Sequence, residues 1–164
     1  MTLRPYNRQA AVAYAHRWAY LRNPDFYSFD DLGGDCTNFA SQCLYAGAGV
    51  MDYTPTFGWY YNGPSSRAPA WTGVEFFYNY LTRKQERPGP VGQEVTADRI
   101  CPGDFAQLSF GAGFAHNPVI VAVNGPPLPE NILVAAHTDD ADNRPLSTYP
   151  IRGIRFIHIL GVNG

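Results

Sequence analysis

The most informative stretch of this sequence runs from Gly33 to Gln42 and reads GGDCTNFASQ. Its two glycines allow the backbone a tight turn, and Asp35 is a residue type that often precedes the first turn of a helix. The apolar residues that follow recur at helical spacing up to Ala46, and Gly47 comes next. These features predict a helix from about Cys36 to Ala46, with Cys36 in its first turn.

The predicted position of Cys36 favours chemistry over packing. Free backbone N–H groups and the positive end of the helix dipole favour a thiolate there, and the thiolate is the nucleophilic form. The same amides are placed to bind the oxyanion of a tetrahedral intermediate. The alternative is that Cys36 is a small buried residue, the usual state of a free cysteine. Its polar neighbours argue against that alternative, which fits Cys43 on the apolar stripe better.

A cysteine nucleophile needs a base, and His116 is the best candidate. It follows a glycine-rich segment and precedes the apolar run 119–123, whereas His137 follows the apolar run 132–136. If the two runs are antiparallel neighbours, the histidines lie side by side as base and orienting residue of a triad. Asp140 is the alternative orienting residue.

Helices dominate the first half of the chain and strands the second. The apolar spacing predicts a helix over Tyr6–Arg22, and Thr72 with Glu75 forms the capping-box pattern that begins another. Short segments rich in Val, Ile and Phe predict strands at Asp104–Phe110, Pro118–Val123, Ile132–Thr138 and Ile151–Leu160. Helices followed by strands indicate an α+β fold with an antiparallel sheet.

The composition excludes several classes of function. The 164 residues suit one domain, 1–164, and a net charge of −2 without a basic block argues against nucleic-acid binding. No apolar run is long enough for an integral membrane segment. The first residues lack the apolar core of a secretory signal, so we expect a cytoplasmic protein, or an extracellular or cell-envelope protein whose signal was removed.

The cysteines give no strong metal signature. There are three of them and no C-x-x-C pair, so we expect no metal or other cofactor. The metal set that we retained as a minor alternative combines Cys36, Cys101, His116 and His137.

The motif around Cys36 resembles the nucleophile motif of the bacterial "Putative amidase domain" family, which is grouped with papain-like cysteine hydrolases and cell-wall peptidases. Three later stretches are also similar to the family: Pro102-Gly103-Asp104 before a strand, His116 before the apolar run, and the segment 137–146 beginning His-Thr-Asp-Asp. The resemblance covers about Tyr6 to His158. It implies a papain-like fold, in which N-terminal helices pack the nucleophile helix on a C-terminal antiparallel sheet.

The resemblance also implies roles for individual residues. Cys36 is the expected nucleophile, His116 the base, and His137 the third member of the triad, with Asp140 as second choice. Related cell-wall peptidases bind a substrate amine through the acid before the cysteine, a role that Asp35 shares with the alternative of helix capping. They also use an upstream tyrosine, for which Tyr27 is the nearest match.

Two further observations bear on the site. The aromatic residues Trp59, Tyr60 and Tyr61 are either substrate subsites or core residues. Asn117 and Pro118 separate His116 from its apolar run, which departs from the family pattern. Pro118 belongs at a strand start or on a sheet edge, so it affects the register that orients His116.

The leading hypothesis is a cysteine hydrolase that cleaves an amide or peptide bond through an acyl-enzyme, with a peptide or peptidoglycan-like substrate. The same triad also serves an acyltransferase, since it does not determine which nucleophile resolves the acyl-enzyme. A third hypothesis is a non-catalytic module that binds cell-wall fragments.

Overall fold

The computed structural model describes residues 2–164 and contains four α-helices and ten strands within that range. The helices are α1 (Arg8–Trp18), α2 (Cys36–Ala48), α3 (Pro69–Thr72) and α4 (Val74–Leu81). The strands are β1 (Leu3–Arg4), β2 (Tyr61–Gly63), β3 (Ser66–Arg67), β4 (Gly89–Val95), β5 (Phe105–Ser109), β6 (Phe114–His116), β7 (Val119–Val123), β8 (Ile132–Ala136), β9 (Ala141–Pro145) and β10 (Gly153–Asn163). None of these helices has both the length and the apolar composition that a membrane crossing requires.

Local sequence determines where α1 begins and where α2 ends. The Asn7 side chain accepts a hydrogen bond from the Ala10 N–H at 3.0 Å and caps α1. Helix α2 ends at Gly49, whose positive φ of 73° is the usual left-handed helix end. Gly47 lets α2 pass close to the start of α1, because a Cβ there would lie 2.7 Å from the Asn7 carbonyl oxygen.

The large sheet has eight strands in the described chain, with β1, β10, β5, β7, β8 and β9 adjacent in that order and all neighbours antiparallel. Strand β4 pairs with β10, and β6 pairs with β5. This arrangement confirms the predicted α+β class with an antiparallel sheet. The four predicted strands correspond to β5, β7, β8 and β10.

Two local predictions were wrong. The capping box does not form, because Gly73 occupies the cap of α4 and the Thr72 hydroxyl accepts a hydrogen bond from Arg67 instead. The Pro88-Gly89-Pro90 segment has the residue types of a surface loop, which is what the sequence alone predicts, yet β4 starts at Gly89 and runs along β10. Pro90 is tolerated there because β4 pairs only with β10 in the described chain, and the free edge of β4 needs no N–H donor from Pro90.

The two faces of the sheet carry different clusters of buried side chains. The helical face packs against α1, α2 and α4 and includes Phe105, Val119, Ala135 and Ile157. The opposite face carries a second cluster that includes Ala106, Leu108, Ile120, Val134 and Leu146. Since alternate residues of a strand point to opposite faces, the register of each strand determines which side chains reach α2.

Candidate active site

The Cys36 sulfur lies in the first turn of α2 and is surrounded by hydrogen-bond donors. The backbone N–H groups of Thr37 and Asn117 lie close enough to the sulfur to lower the pKa of the thiol, and the Thr37 hydroxyl lies 3.8 Å away. Its thiol in turn approaches the Ala115 carbonyl oxygen at 4.0 Å. Burial, with only 9% of the residue exposed, raises the pKa of the thiol, and the donors partly oppose this shift. The site therefore holds donors for an anionic sulfur but keeps the thiol form in the unliganded protein.

Asp35 lies immediately before α2 and is fully buried, but its carboxylate does not cap the helix. One oxygen accepts hydrogen bonds from the Phe29 N–H at 2.7 Å and the Asn38 amide at 2.9 Å. The other lies 2.5 Å from Nδ1 of His137 and 3.9 Å from the Arg22 guanidinium. With no exposed surface and both oxygens occupied by protein groups, Asp35 does not meet the prediction that it binds a substrate amine.

His137 connects three elements near the start of α2. Its Nδ1 contacts Asp35, its Nε2 lies 2.8 Å from the Trp18 carbonyl oxygen, and its ring stacks on Phe39 with centroids 4.0 Å apart. Both ring nitrogens are thus used, neither by His116. The structure therefore does not join His137 to His116 as the triad prediction expected.

The backbone on either side of His116 lies beside Cys36, but the His116 side chain does not. It pairs with Leu108, a residue of the opposite face, and its ring contacts Tyr149 on that side at 5.5 Å between centroids. Cross-strand partners share a face, so the imidazole points away from α2. Its Nε2 has no hydrogen-bond partner among the described residues. Burial, with the nearby Arg144 charge, lowers the pKa of His116 to about 4.

Asn117 takes the place on the helical face that His116 was expected to fill. The register is the same on both sides of it, with His116 opposite Leu108 and Val119 opposite Phe105, so Asn117 lies on the face of Phe105. It is 1% exposed, and neither atom of its carboxamide has a hydrogen-bond partner in the described chain. A buried donor and acceptor without partners are costly, which marks this position as functional or water-filled.

Asn117 faces α2 and His116 does not, because neighbouring residues of a strand point to opposite faces of the sheet. The predicted antiparallel pairing of β7 with β8 is confirmed, but it aligns Val119 with Ala135. Two residues away from that pair, Asn117 and His137 come to the same face. Asn117 was missed as a site residue, and its only sequence signal was its position next to Pro118.

The other predicted site residues have mixed placements. Tyr27 lies near the start of α2, because its carbonyl oxygen accepts a hydrogen bond from Asn38 at 2.9 Å, and its side chain is exposed. Asp140 forms an ion pair with Arg22 at 2.9 Å and contacts no histidine in the described structure.

The aromatic cluster is mostly core. Trp59 is fully buried, donates to the Ser41 hydroxyl at 3.0 Å and packs on Trp71, so it cannot be the substrate subsite that was one of its two predicted roles. Tyr60 is half-buried and packs against Tyr53.

The metal set retained as a minor alternative is not assembled. In the described chain, the group of three or more potential ligands is Cys101, Asp104 and His158, which contains only one of the four predicted residues.

Comparisons with known proteins place this geometry in context. The family described as "Putative amidase domain" matches residues 5–160. The chain is also 35% identical over 143 residues to the uncharacterized protein YhbB of Bacillus subtilis (strain 168). That alignment covers 85% of this chain and 43% of the relative, so the chain spans less than half the length of YhbB. No solved structure matches the chain.

Proposed function

Because the chain belongs to the Putative amidase domain family, we propose that it hydrolyses an amide or peptide bond with Cys36 as the nucleophile on a papain-like fold. The observation that carries the proposal is the set of polar groups near the Cys36 sulfur: the backbone N–H and the hydroxyl of Thr37 in the first turn of α2, and the backbone N–H of Asn117 between β6 and β7. Such donors stabilise a thiolate and then the negative charge that develops on a substrate carbonyl oxygen.

The proposed reaction has two steps. A general base takes the proton of the Cys36 thiol, and the thiolate attacks the carbonyl carbon. The C–N bond then breaks, and the amine leaves with the proton that the base had taken from the thiol. Water then adds to the acyl-enzyme carbonyl and gives up a proton to the same group, the C–S bond breaks, and that proton passes to the sulfur, which releases the acid and restores the thiol. The Thr37 and Asn117 N–H groups, which lie near the sulfur, are the candidate oxyanion donors.

We assign the proton transfers to His116. Its two neighbours in the chain, Ala115 and Asn117, both contact the sulfur, and its Nε2 has no partner in the described structure. Strand β6 has only three residues, a register irregularity opposite Ser109 and Pro118 just beyond its end. A shift by one residue in this weakly specified strand brings the imidazole to the helical face. We propose that substrate binding selects this register.

Asp35 and His137 are proposed as positioning residues for the nucleophile. Asp35 is the residue before Cys36, and His137 joins it to the Trp18 carbonyl through two hydrogen bonds, of 2.5 and 2.8 Å. This contact fixes the start of α2 relative to α1 and β8 and so determines where the sulfur lies.

A peptide of the peptidoglycan type is the proposed substrate, and exposed Tyr27 is its proposed contact near the start of α2. The test is hydrolysis of a muropeptide panel, followed by chromatography, for the parent, Cys36→Ala and Cys101→Ala. We expect turnover by the parent and by Cys101→Ala, and none by Cys36→Ala. Equal turnover by Cys36→Ala would contradict the proposal. Repeating the reaction with an added amine distinguishes hydrolysis from acyl transfer by the product formed.

One observation favours a second candidate, an amide-binding module without turnover. The side chain that faces α2 beside Cys36 is the Asn117 carboxamide, which can pair with a peptide group through one donor and one acceptor. In this case muropeptides bind the parent without being cleaved, and Asn117→Ala weakens that binding. Calorimetry with the uncleaved muropeptide separates the two candidates.

A further inference from the structure

A second group of chemically active side chains lies where the turn before β5 meets β10. It consists of Cys101, Asp104 and His158, called here the Cys101 cluster, and shares no residue with the site around Cys36. The sulfur, a carboxylate oxygen and a ring nitrogen all lie within 4.8 Å of one another. The mechanism proposed for Cys36 uses none of these groups.

The carboxylate at the centre of the cluster is held rigidly. Asp104 is fully buried, and its Oδ2 accepts hydrogen bonds from the Cys101 N–H and from Nδ1 of His158, both at 2.8 Å. Its Oδ1 accepts from Arg8 at 2.7 Å and from the Ile159 N–H at 2.9 Å. The Arg8 charge is therefore bound at Oδ1, on the other side of the carboxylate from the sulfur and the imidazole.

We propose that the Cys101 cluster is a binding site for a divalent transition-metal ion, with zinc as the ion that the donors suit best. Thiolate, imidazole and carboxylate are the three ligand types of zinc in proteins, at about 2.0–2.3 Å from the ion. Ligands at those distances lie about 3.5 Å apart in a tetrahedron. On binding, a pair of atoms at the 4.8 Å limit closes by about 1.3 Å, and His158 Nδ1 and Asp104 Oδ2, which are 2.8 Å apart, separate by about 0.7 Å. The fourth position is left for water.

Binding of the metal ion releases one proton from the cluster. Cys101 binds as the thiolate and releases its proton to solvent, whereas His158 binds as neutral imidazole and moves its remaining proton to the other ring nitrogen. The thiolate and Asp104 supply two negative charges, and Arg8 offsets one of them, so the cluster favours a divalent cation with moderate affinity.

The cluster is accessible from solvent. Cys101 is half-buried, and the side chain of His158 is 23% exposed. A surface cavity of about 470 Å³, lined in part by Arg8 and Pro102, opens beside the turn that carries Cys101.

Cobalt titration of the reduced chain tests this proposal, because a thiolate bound to Co²⁺ gives an intense near-ultraviolet charge-transfer band. We expect saturable growth of the band in the parent and in the matched control Cys36→Ser, and its loss in Cys101→Ser. His158→Gln should weaken binding at least tenfold. Absence of the band in the parent, or its persistence in Cys101→Ser, overturns the proposal.

A second measurement uses only the parent protein, so its result does not depend on whether a variant folds. Alkylation of the parent with iodoacetamide, with and without Zn²⁺, is read at each cysteine by mass spectrometry. Zinc should slow alkylation of Cys101 at least tenfold and leave Cys36 unchanged. Equal protection of both cysteines, or of neither, contradicts a site at the Cys101 cluster.

Discussion

The side chains of residues 116 and 117 decide what faces the Cys36 sulfur. Their backbone groups flank the sulfur, but the imidazole of His116 enters the opposite core beside Tyr149, and the carboxamide of Asn117 enters the helical one. Both side chains are buried with polar atoms that lack partners in the described chain. These two unsatisfied side chains are an observation on which the proposed one-residue register shift of β6 rests.

The buried imidazole has a measurable consequence for stability. Burial and the charge of Arg144 lower the pKa of His116 from 6.5 to about 4, so the folded state resists its protonation. Above pH 6.5 the ring is neutral in both states, and His116 does not lower the free energy of unfolding. As the pH falls from 6.5 toward 4, the unfolded chain binds a proton that the folded chain does not, so the free energy of unfolding decreases. At pH 4.5 the loss is about 2.5 kcal/mol in the free energy of unfolding.

Urea unfolding of the parent and His116→Gln at pH 7.5 and pH 4.5 checks this prediction. The parent should lose more stability than the variant between the two pH values, by about the amount given above. The same loss in both proteins would show that His116 is not buried as a neutral ring.

At the scale of elements, the start of α2 depends on contacts made by the residue before it. Asp35 joins α2 to the loop at Phe29, to β8 through His137 and to α1 through the Trp18 carbonyl. The carboxylate serves these contacts instead of capping the helix, so the first N–H groups of α2 make no hydrogen bond with it. In the proposed reaction these groups are available to a substrate oxygen.

Replacing this carboxylate should destabilise the protein strongly. Asp35→Asn presents an amide N–H to Nδ1 of His137, which leaves a buried ring without its acceptor and should lower the free energy of unfolding by about 3 kcal/mol. The exposed Asp31→Asn removes the same charge from the same loop and should change it by less than about 0.5 kcal/mol. Chemical denaturation measures both, and equal effects would contradict the role of Asp35.

The elements that could be predicted are those that local sequence specifies. Helix α2 follows from the glycines on both sides of an apolar stripe, and β7 and β8 follow from their apolar runs. Strand β4 was missed because its glycines and prolines indicate a loop, and only its pairing with β10 makes it a strand. Helix α1 begins at Arg8 rather than Tyr6 because Asn7 caps it, and it ends at Trp18 rather than at the predicted Arg22.

At the scale of the whole molecule, the sheet separates two cores, and the site lies where the helical core meets the broken strand β6–β7. Local sequence indicated that residues near His116, His137 and Cys36 converge, and the structure brings their backbones together. It could not indicate which face each side chain takes, because that depends on pairing between strands distant in sequence. For the same reason the sequence did not predict the Cys101 cluster, because its members come together only through the pairing of β10 with β5.

The central claim, that Cys36 is the nucleophile, is tested most directly by trapping the acyl-enzyme. The parent, Cys36→Ser and Cys101→Ser are mixed with an activated peptidyl thioester, quenched in acid within milliseconds to seconds, and analysed by mass spectrometry of the intact chain and its peptides. The account predicts one acyl group on Cys36 in the parent and in Cys101→Ser, and none in Cys36→Ser. An acyl group on another residue, or none in the parent, would contradict it.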